Sequence, residues 1–235
     1  TELFPSEVPI TSDDRIIKDR TLMGLSLRDA ALTVWNEKGK RVITHEGDML
    51  FTHFGLSGPI ALRCSQFVVK QLKKSNRVRL TIHFMPGKNA QTVFDEIWNL
   101  AKQNPQKAVK NVLKSVLPDR LIPVLLETAG IDGQITFDHI PKHAWMELAQ
   151  LITAFPVHAN GTLSIEKAFV TGGGVNLKEI EPKTMQSKRM KGLFFCGEVL
   201  DIHGYTGGYN ITAAFVTGYT AGKHAAETAL QRGQA

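Results

Sequence analysis

The residues best suited to chemistry lie near the carboxyl end of the chain, in the run GLFFCGEVLDIHGYTGGYN. The apolar start of this run, residues 193–196, predicts a buried strand. Gly197 and Glu198 follow at its carboxyl end, where open α/β sheets bind their ligands. Because a carboxylate only accepts hydrogen bonds, Glu198 suits the hydroxyl groups of a polyol.

A glycine-rich loop and then a helix follow this carboxylate. Gly207 and Gly208 end the loop, and the helix is predicted to start near Tyr209 or Asn210. The unpaired N–H groups and the positive dipole end of a helix start favour negative charge or carbonyl oxygens. The glycines precede no P-loop lysine, which argues against a nucleoside triphosphate. A dinucleotide cofactor with a polyol and an electron-rich ring carbonyl fits this pattern.

A second glycine cluster stands upstream, in AFVTGGGVN. At Gly173 and Gly174 the backbone can approach a ligand closely, although a tight turn or bulge is the alternative interpretation. The cluster is not a Rossmann fingerprint. Leu177 stands where the third glycine should be, and Pro182 argues against a following helix.

Candidate substrate-facing residues are few. His53 lies in FTHFGLSGP, and His203 and Tyr205 lie in the glycine-rich loop. A lone histidine is more often structural, and no residue is a convincing acid or base, so the catalytic residue and the substrate stay unassigned. We expect Cys196 to be a buried strand residue without a redox partner. The sequence contains no metal-ligand spacing.

Composition and the first residues limit the class of protein. The chain has 235 residues, of which 43% are hydrophobic, and this predicts a globular fold with a real core. No apolar run approaches the roughly 18 residues of a membrane span. The N-terminus has neither a signal-peptide pattern nor an initiator Met, so we expect a fragment or a processed product. Two distant cysteines favour a reducing, cytoplasmic setting.

The formal net charge is +6, and much of the excess lies between Lys70 and Lys114. A basic surface can bind nucleic acid or attract anionic ligands. No RNA-binding signature or aromatic stacking platform accompanies these lysines in the sequence. We therefore expect a solvated helix face, with nucleic acid as an unlikely partner.

Hydrophobic periodicity divides the chain into β-rich, helical, β-rich and glycine-rich segments. Residues 30–46 predict a hairpin, and 77–84 predict a strand. Between them, Ser57-Gly58-Pro59 opens a helix. Helical stripes fill residues 89–154, and β pattern returns at 155–170 with a turn at Asn160-Gly161. This order predicts a helical subdomain inserted into a small β-barrel or sheet, in a fold of α+β or α/β class.

Three motifs together resemble one family. They are LFFCGEVLDIHGYTGGYNITAA, TGGGVNLKEIEPKTMQSK and FTHFGLSGPIALRCSQ. The sequence is similar over its whole length to the bacterial aminoacetone-oxidase-like FAD-binding family, described as NAD(FAD)-utilizing dehydrogenases. The first motif is similar, more distantly, to fumarate reductase and succinate dehydrogenase flavoproteins.

The resemblance implies a glutathione-reductase-like FAD domain interrupted by an inserted β-barrel with a helical subdomain. Residues 1–10 would leave the FAD domain, 11–167 would form the insert with its helices at about 89–154, and 168–235 would return to the FAD domain. In that family the chain opens with a GxGxxG unit, which this sequence lacks. The missing N-terminal dinucleotide-binding region is therefore an expected partner.

The resemblance also implies roles for individual residues. Near the flavin would lie Gly173, Gly174 and Gly197, with Glu198 accepting bonds from the ribityl chain, while Gly207, Gly208, Tyr209, Asn210 and Ile211 would surround the pyrimidine edge of the ring. The implied function is that of an FAD-dependent oxidoreductase acting on a small organic substrate, with NAD(P)H as a possible reductant. A basic module that contacts nucleic acid without redox chemistry is the alternative.

Overall fold

The computed structural model describes residues 1–233, which form two compact units. The central unit comprises Pro9–Thr162. The terminal unit combines Thr1–Val8 with the chain from Leu163 onward. Each unit has its own hydrophobic core. The chain thus leaves the terminal unit after Val8 and returns to it at Leu163.

Most strands are short and belong to the central unit. In chain order the strands are β1 (Phe4–Ser6), β2 (Ile10–Thr11), β3 (Ser26–Trp35), β4 (Arg41–Phe51), β5 (Gly55–Ser57), β6 (Val78–His83), β7 (Phe155–Ala159), β8 (Gly161–Thr162), β9 (Val170–Gly172), β10 (Ile180–Glu181) and β11 (Gln186–Ser187). The predicted hairpin is confirmed, because β3 and β4 pair antiparallel on either side of a turn.

The helices are α1 (Arg15–Lys18), α2 (Pro59–Leu72), α3 (Ala90–Lys102), α4 (Val109–Leu113), α5 (Leu121–Thr128), α6 (Lys142–Ala154) and α7 (Tyr209–Gly233). The predicted start of α2 is confirmed: Gly58 is its N-cap with φ +90° and Pro59 is its first residue. Gly130, with φ +67°, follows the end of α5, as its C-cap pattern predicts.

The central sheet closes on itself. Its strand order is β7-β6-β3-β4-β5-β2-β8, and every pair is antiparallel. The strands at the two ends of this order, β7 and β8, are separated in the chain by Asn160 alone. Because one residue can span only a few ångström, the two ends must meet, which makes the sheet a barrel. The predicted turn at Asn160-Gly161 therefore joins two strands that pair with β6 and β2, and not with each other.

The helical part of the central unit shares one core with the barrel. The apolar stripes of α3 to α6 are buried together with the inward side chains of the strands. Phe94, Trp98, Phe137 and Trp145 form an aromatic cluster with ring centroids 4.7 to 6.2 Å apart. The stripes are thus core, as their periodicity predicts. The whole is a mixed α/β fold with a mostly antiparallel sheet.

The terminal unit has a much smaller core. In this unit β1 pairs with β9 and β10 with β11, and a core formed by Ile180, Met185, Leu200 and Ala221 lies beside α7. Many of its large apolar side chains are exposed, among them Phe215 (74%) and Tyr219 (76%). The described residues therefore leave a wide apolar surface uncovered in this unit.

The prediction of a buried strand at residues 193–196 is wrong. Within this segment only Phe194 forms a bridge, antiparallel to Gln186, and Leu193 is exposed. Cys196, expected to be buried, is exposed as well. A short apolar segment becomes a buried strand only when neighbouring strands supply hydrogen-bonding partners along its length. Among residues 1–233, the bonds that link this segment to the β11 region are those of Leu193 with Ser187 and of Phe195 with Met185, which form one bridge and no longer ladder.

Candidate functional site

The glycine-rich loop and the start of α7 form the candidate site in the terminal unit. Gly207 and Gly208 have φ values of +117° and +88°, which disfavour other residue types. A Cβ atom at Gly208 would meet no atom within 4 Å. Backbone conformation therefore requires glycine at this position, and the space beside it is open to a ligand.

The first helical hydrogen bond of α7 runs from the N–H of Thr212 to the carbonyl of Gly208, at 2.9 Å. The N–H groups of Tyr209, Asn210 and Ile211 precede this bond and lie outside the helical ladder. They point out of the helix start, where the dipole favours negative charge. The helix begins at the predicted residue, and its first turn can offer donors to an acceptor-rich edge.

A buried carboxylate holds the loop from β1. Glu7 directly follows β1, is fully buried and has a φ of +49°, which is strained for a non-glycine residue. Its Oε2 accepts a hydrogen bond from the backbone N–H of Thr206 at 3.1 Å. Glu7 was not among the predicted site residues. The sequence feature that could have identified it is an isolated acidic residue within the apolar and proline-containing run LFPSEVPI.

The side chain of Asn210 holds the other side of the same loop. Its Oδ1 accepts from the N–H of Gly204 at 2.7 Å, and its Nδ2 donates to the carbonyl of Gly204 at 3.0 Å. The side chain therefore closes the loop onto the helix start. We expected Asn210 to contribute through its backbone. In the structure its side chain also holds the glycine-rich loop.

His203 lies within the loop beside an acidic residue. Its Nδ1 is 3.5 Å from Oδ1 of Asp201, and its ring meets Phe4 edge-on with centroids 5.2 Å apart. Asp201 in turn accepts a hydrogen bond from the hydroxyl of Thr1 at 2.9 Å. These contacts restrict the orientation of the imidazole. Tyr205, the other substrate-side candidate of this loop, is half-buried.

Glu198 lies in a 3-10 turn, Gly197–Val199, and is exposed. The turn is tied to α7, because the N–H of Gly197 donates to Oγ1 of Thr217 at 3.0 Å. Gly197 has a φ of +70°, so this turn also needs a glycine. The fold thus brings Glu198 to the same helix as the glycine loop, with its carboxylate free to reach a ligand's hydroxyl groups.

Close backbone packing accounts for the upstream glycines. A Cβ atom at Gly173 would collide with the carbonyl of Glu2, and one at Gly174 with the carbonyl of Val199. Their conformations, φ +85° and φ +132°, also require glycine. The approach of these two residues to a ligand stays a prediction, since packing alone explains their identity.

His53 belongs to the central unit, whereas His203 and Tyr205 belong to the terminal unit. His53 is exposed directly after β4, and its ring lies against Phe54 at 4.9 Å between centroids. Residues 1–233 contain no cluster of three or more His, Cys, Asp or Glu side chains able to hold a metal ion. In the same residues, no helix has the length and hydropathy needed to cross a membrane.

Comparison with known proteins agrees with this architecture. The HI0933-like protein barrel and H2TH domain matches residues 4–170. A 3-dehydro-bile acid delta(4,6)-reductase of Clostridium scindens is 30% identical over 190 residues, which make up 80% of this chain and 46% of that protein.

Two further relatives are ribosomal RNA dihydrouridine synthases. The one from Haemophilus influenzae is 32% identical over 201 residues, covering 86% of this chain and 47% of its own length. The one from Escherichia coli is 32% identical over 168 residues, covering 72% and 40%. The chain thus spans about half the length of the curated relatives it matches.

The match covers the barrel and helices α1 to α6, and it ends at Val170, the first residue of β9. The narrower aminoacetone-oxidase-like assignment stays a hypothesis. The chain belongs to the HI0933-like family, which is related to flavoprotein-type oxidoreductases and to rRNA dihydrouridine synthase-like proteins.

Proposed function

We propose that this chain forms part of an FAD-dependent reductase. The observation that carries the proposal is the helix start at Gly208-Tyr209, where open space meets N–H groups that lie outside the helical ladder. A flat ring with a carbonyl edge fits this space, because the glycine backbone permits close approach and the N–H groups offer donors. The reductase relative supports an oxidoreductase assignment.

The residues present fit the flavin half of the cofactor. Glu198 would accept hydrogen bonds from ribityl hydroxyl groups, and the N–H groups of Tyr209, Asn210 and Ile211 would face the pyrimidine edge. Glu7 and Asn210 hold the loop in this geometry before any ligand arrives. Such preorganised donors act most strongly where negative charge develops.

When bound, FAD supplies a hydride, and NAD(P)H is the proposed source of the two electrons. The names delta(4,6)-reductase and dihydrouridine synthase both describe saturation of a carbon–carbon double bond conjugated to a carbonyl. We extend this reaction class to the present chain. The carbon β to the carbonyl would gain the hydride, and the α carbon would gain a proton.

His203 is our candidate for holding that proton. It lies in the same loop as the helix start, and Asp201 stands 3.5 Å from its Nδ1. Asp201 and the ring of Phe4 restrict the orientation of the imidazole. Tyr205 of the same loop and His53 of the central unit are the alternative candidates.

The proposed partner is a dinucleotide-binding region of the same protein. On α7, Ile211, Phe215 and Tyr219 recur every four residues and are 64% to 76% exposed. This spacing places them on one helix face, as in a helix packed against a domain. The relatives are about twice as long as this chain, so they have room for such a region. We also keep a cytoplasmic location in the proposal, since free thiols suit a reducing compartment.

The test compares this chain with the same chain joined to its dinucleotide-binding region, termed the full-length protein. We expect the full-length protein to contain stoichiometric FAD, seen in its absorbance spectrum, and to oxidise NAD(P)H when given an enone. We expect the isolated chain to bind FAD weakly in calorimetry, because the pyrophosphate-binding helix start is not part of it. A colourless full-length protein would overturn the proposal.

The docking of α7 has its own test. Phe215→Ser should reduce aggregation of the isolated chain, because it removes an exposed apolar side chain. The same change should destabilise the full-length protein by about 2 kcal/mol or more if that residue is buried there. Equal stability of the two full-length proteins would exclude this face as the docking surface.

A further inference from the structure

We infer that the central unit binds the phosphodiester backbone of RNA through a basic face. This face is built by the tip of the β3–β4 hairpin and by the end of α2, and its residues are Lys38, Lys40, Arg41, Lys70, Lys73 and Lys74. The inference rests on the proposed function for the reaction and names the substrate class on which that reaction acts.

The fold brings together residues beside two basic segments that are about thirty positions apart in the sequence. One surface pocket of the central unit is lined by Trp35, Asn36, Glu37 and Gly39 of the hairpin, by Gln71 near the end of α2, and by Ser75, Arg77 and Arg79 after it, so Lys38 and Lys74 each adjoin lining residues in the chain. Lysines that the sequence places in separate runs therefore flank one concave surface.

Four of the cationic side chains on this face are available to a ligand. Lys38, Lys40, Arg41 and Lys74 are exposed, and none of them forms a salt bridge with any residue in the described range 1–233. Arg77 is different, because Asp13 and Asp14 bind its guanidinium at 2.6 and 2.9 Å. The charge offered to a ligand therefore comes from the exposed lysines and Arg41 beside the pocket, and Glu37 is the acidic residue of the hairpin tip.

Aromatic rings lie close to cations in this part of the central unit. The guanidinium of Arg79 lies 5.7 Å from the ring centroid of Trp35, whose Nε1 donates to Thr81 at 2.9 Å. The ammonium of Lys70 lies 5.8 Å from the ring of Phe67. RNA-binding surfaces combine cations with aromatic and guanidinium planes on which unstacked bases rest.

RNA suits this face better than a membrane. A membrane-binding surface needs exposed apolar side chains beside its lysines. Within the described part of the central unit, Met23 is the one large hydrophobic residue that is exposed, and it belongs to neither basic segment. The names of two relatives describe enzymes that act on ribosomal RNA, and a basic face suits the phosphate groups of such a substrate. The inference replaces the expectation that the lysines form only a solvated helix face.

The test measures RNA binding by this chain with a fluorescently labelled RNA stem–loop, by anisotropy at several salt concentrations. The test variant is Lys38→Gln/Lys40→Gln/Lys74→Gln. The control, Lys18→Gln/Lys102→Gln/Lys107→Gln, loses the same net charge from exposed sites outside the basic face. Thermal unfolding followed by circular dichroism checks that both variants fold.

We expect the test variant to bind about tenfold or more weakly, with a shallower salt dependence by about one unit for each lysine removed. The control should stay close to the unchanged chain. Equal losses in both variants, no binding at all, or tighter binding to phosphatidylserine vesicles than to RNA would each overturn the inference. None of these readouts involves flavin. A full-length protein without FAD would therefore contradict the proposed reductase function without affecting the measured RNA binding.

Discussion

The carboxylate of Glu7 and the backbone N–H of Thr206 form a hydrogen bond of 3.1 Å within the terminal unit, across 199 positions of sequence. Glu7 is fully buried and Thr206 lies in the glycine-rich loop next to the start of α7. In a buried site water does not compete for either partner of this hydrogen bond. This contact ties the loop to the end of β1, so its loss should lower the stability of the terminal unit.

Glu7→Ala should destabilise the terminal unit by about 1–3 kcal/mol, because it removes the acceptor and leaves the partly buried N–H of Thr206 without one. We expect the full-length protein to lose much of its FAD as the loop loosens. Glu7→Gln should be milder, since an amide oxygen can still accept. Denaturant unfolding and FAD content measure both effects. Full FAD occupancy in a folded Glu7→Ala protein would refute the positioning role.

Asn210→Ala should also loosen the loop, because two hydrogen bonds to Gly204 are lost together. We expect a loss of about 1–2 kcal/mol in stability and weaker FAD binding in the full-length protein. Asn210→Asp keeps the acceptor for the N–H of Gly204 and loses the donor, so it should fall between the two. Calorimetric FAD titration ranks the three proteins, and any other order would contradict this assignment.

Gly208→Val should remove FAD or lower its reduction potential. The φ of +88° at this position is strained for a β-branched residue by about 1–3 kcal/mol, and the new side chain would fill the open space. Gly39→Val is the matched control, since Gly39 has φ +70° and equally open surroundings in the hairpin of the central unit. Both variants should lose stability. If both variants also lose flavin equally, the loss comes from general destabilisation, and a specific contact between Gly208 and the flavin ring is excluded.

Glu198→Ala should weaken FAD binding by about 1.5–3 kcal/mol, the scale of a hydrogen bond to a charged group. The residue is exposed in its 3-10 turn, so the change should leave folding intact. Glu166→Ala, at another exposed acidic site of the same unit, serves as the control. The measurement is the FAD dissociation constant of each full-length protein. An unchanged constant for Glu198→Ala would assign the ribityl contact elsewhere.

His45 should make stability depend on pH. Burial, and secondly the positive charge of Arg63, lower the pKa of His45 below its ordinary value in the folded chain. The unfolded chain therefore binds a proton first as the pH falls through about 6.5. The contribution of His45 is complete above that pH and diminishes below it.

We accordingly expect the free energy of unfolding to fall between about pH 7 and pH 5, and His45→Gln to reduce that slope. His143→Gln, at an exposed position, should leave the slope nearly unchanged. Urea denaturation across this pH range provides the measurement. A steeper slope in His45→Gln would show that the pKa is shifted in the opposite direction.

Local patterns were enough to predict several elements. Gly58 and Pro59 start α2, the residues around Glu37 and Gly39 turn the β3–β4 hairpin, and α7 starts at Tyr209. These predictions succeed because caps, turns and apolar stripes act over one or two turns of chain, so their physical causes lie within the segment itself.

Long-range contacts decided the rest. The run at residues 193–196 has the composition of a buried strand, yet its fate depends on neighbours that the segment does not contain. Barrel closure depends on the pairing of β7 and β8 with β6 and β2. Neither relationship has a local signature, because hydrogen-bonding partners of a strand can come from anywhere in the chain.

Some features of the candidate site were also predictable from the sequence, whereas others depend on the tertiary structure. The sequence alone determined that Gly208 and Tyr209 open a helix and that Glu198 stands close before it. Only the tertiary structure placed Glu7 beneath the loop and brought Gly39 of the hairpin and Ser75 after α2 to one pocket. Burial and proximity are properties of the folded chain: a carboxylate gains a partner, and separated lysines become one charged face, only when distant segments pack together.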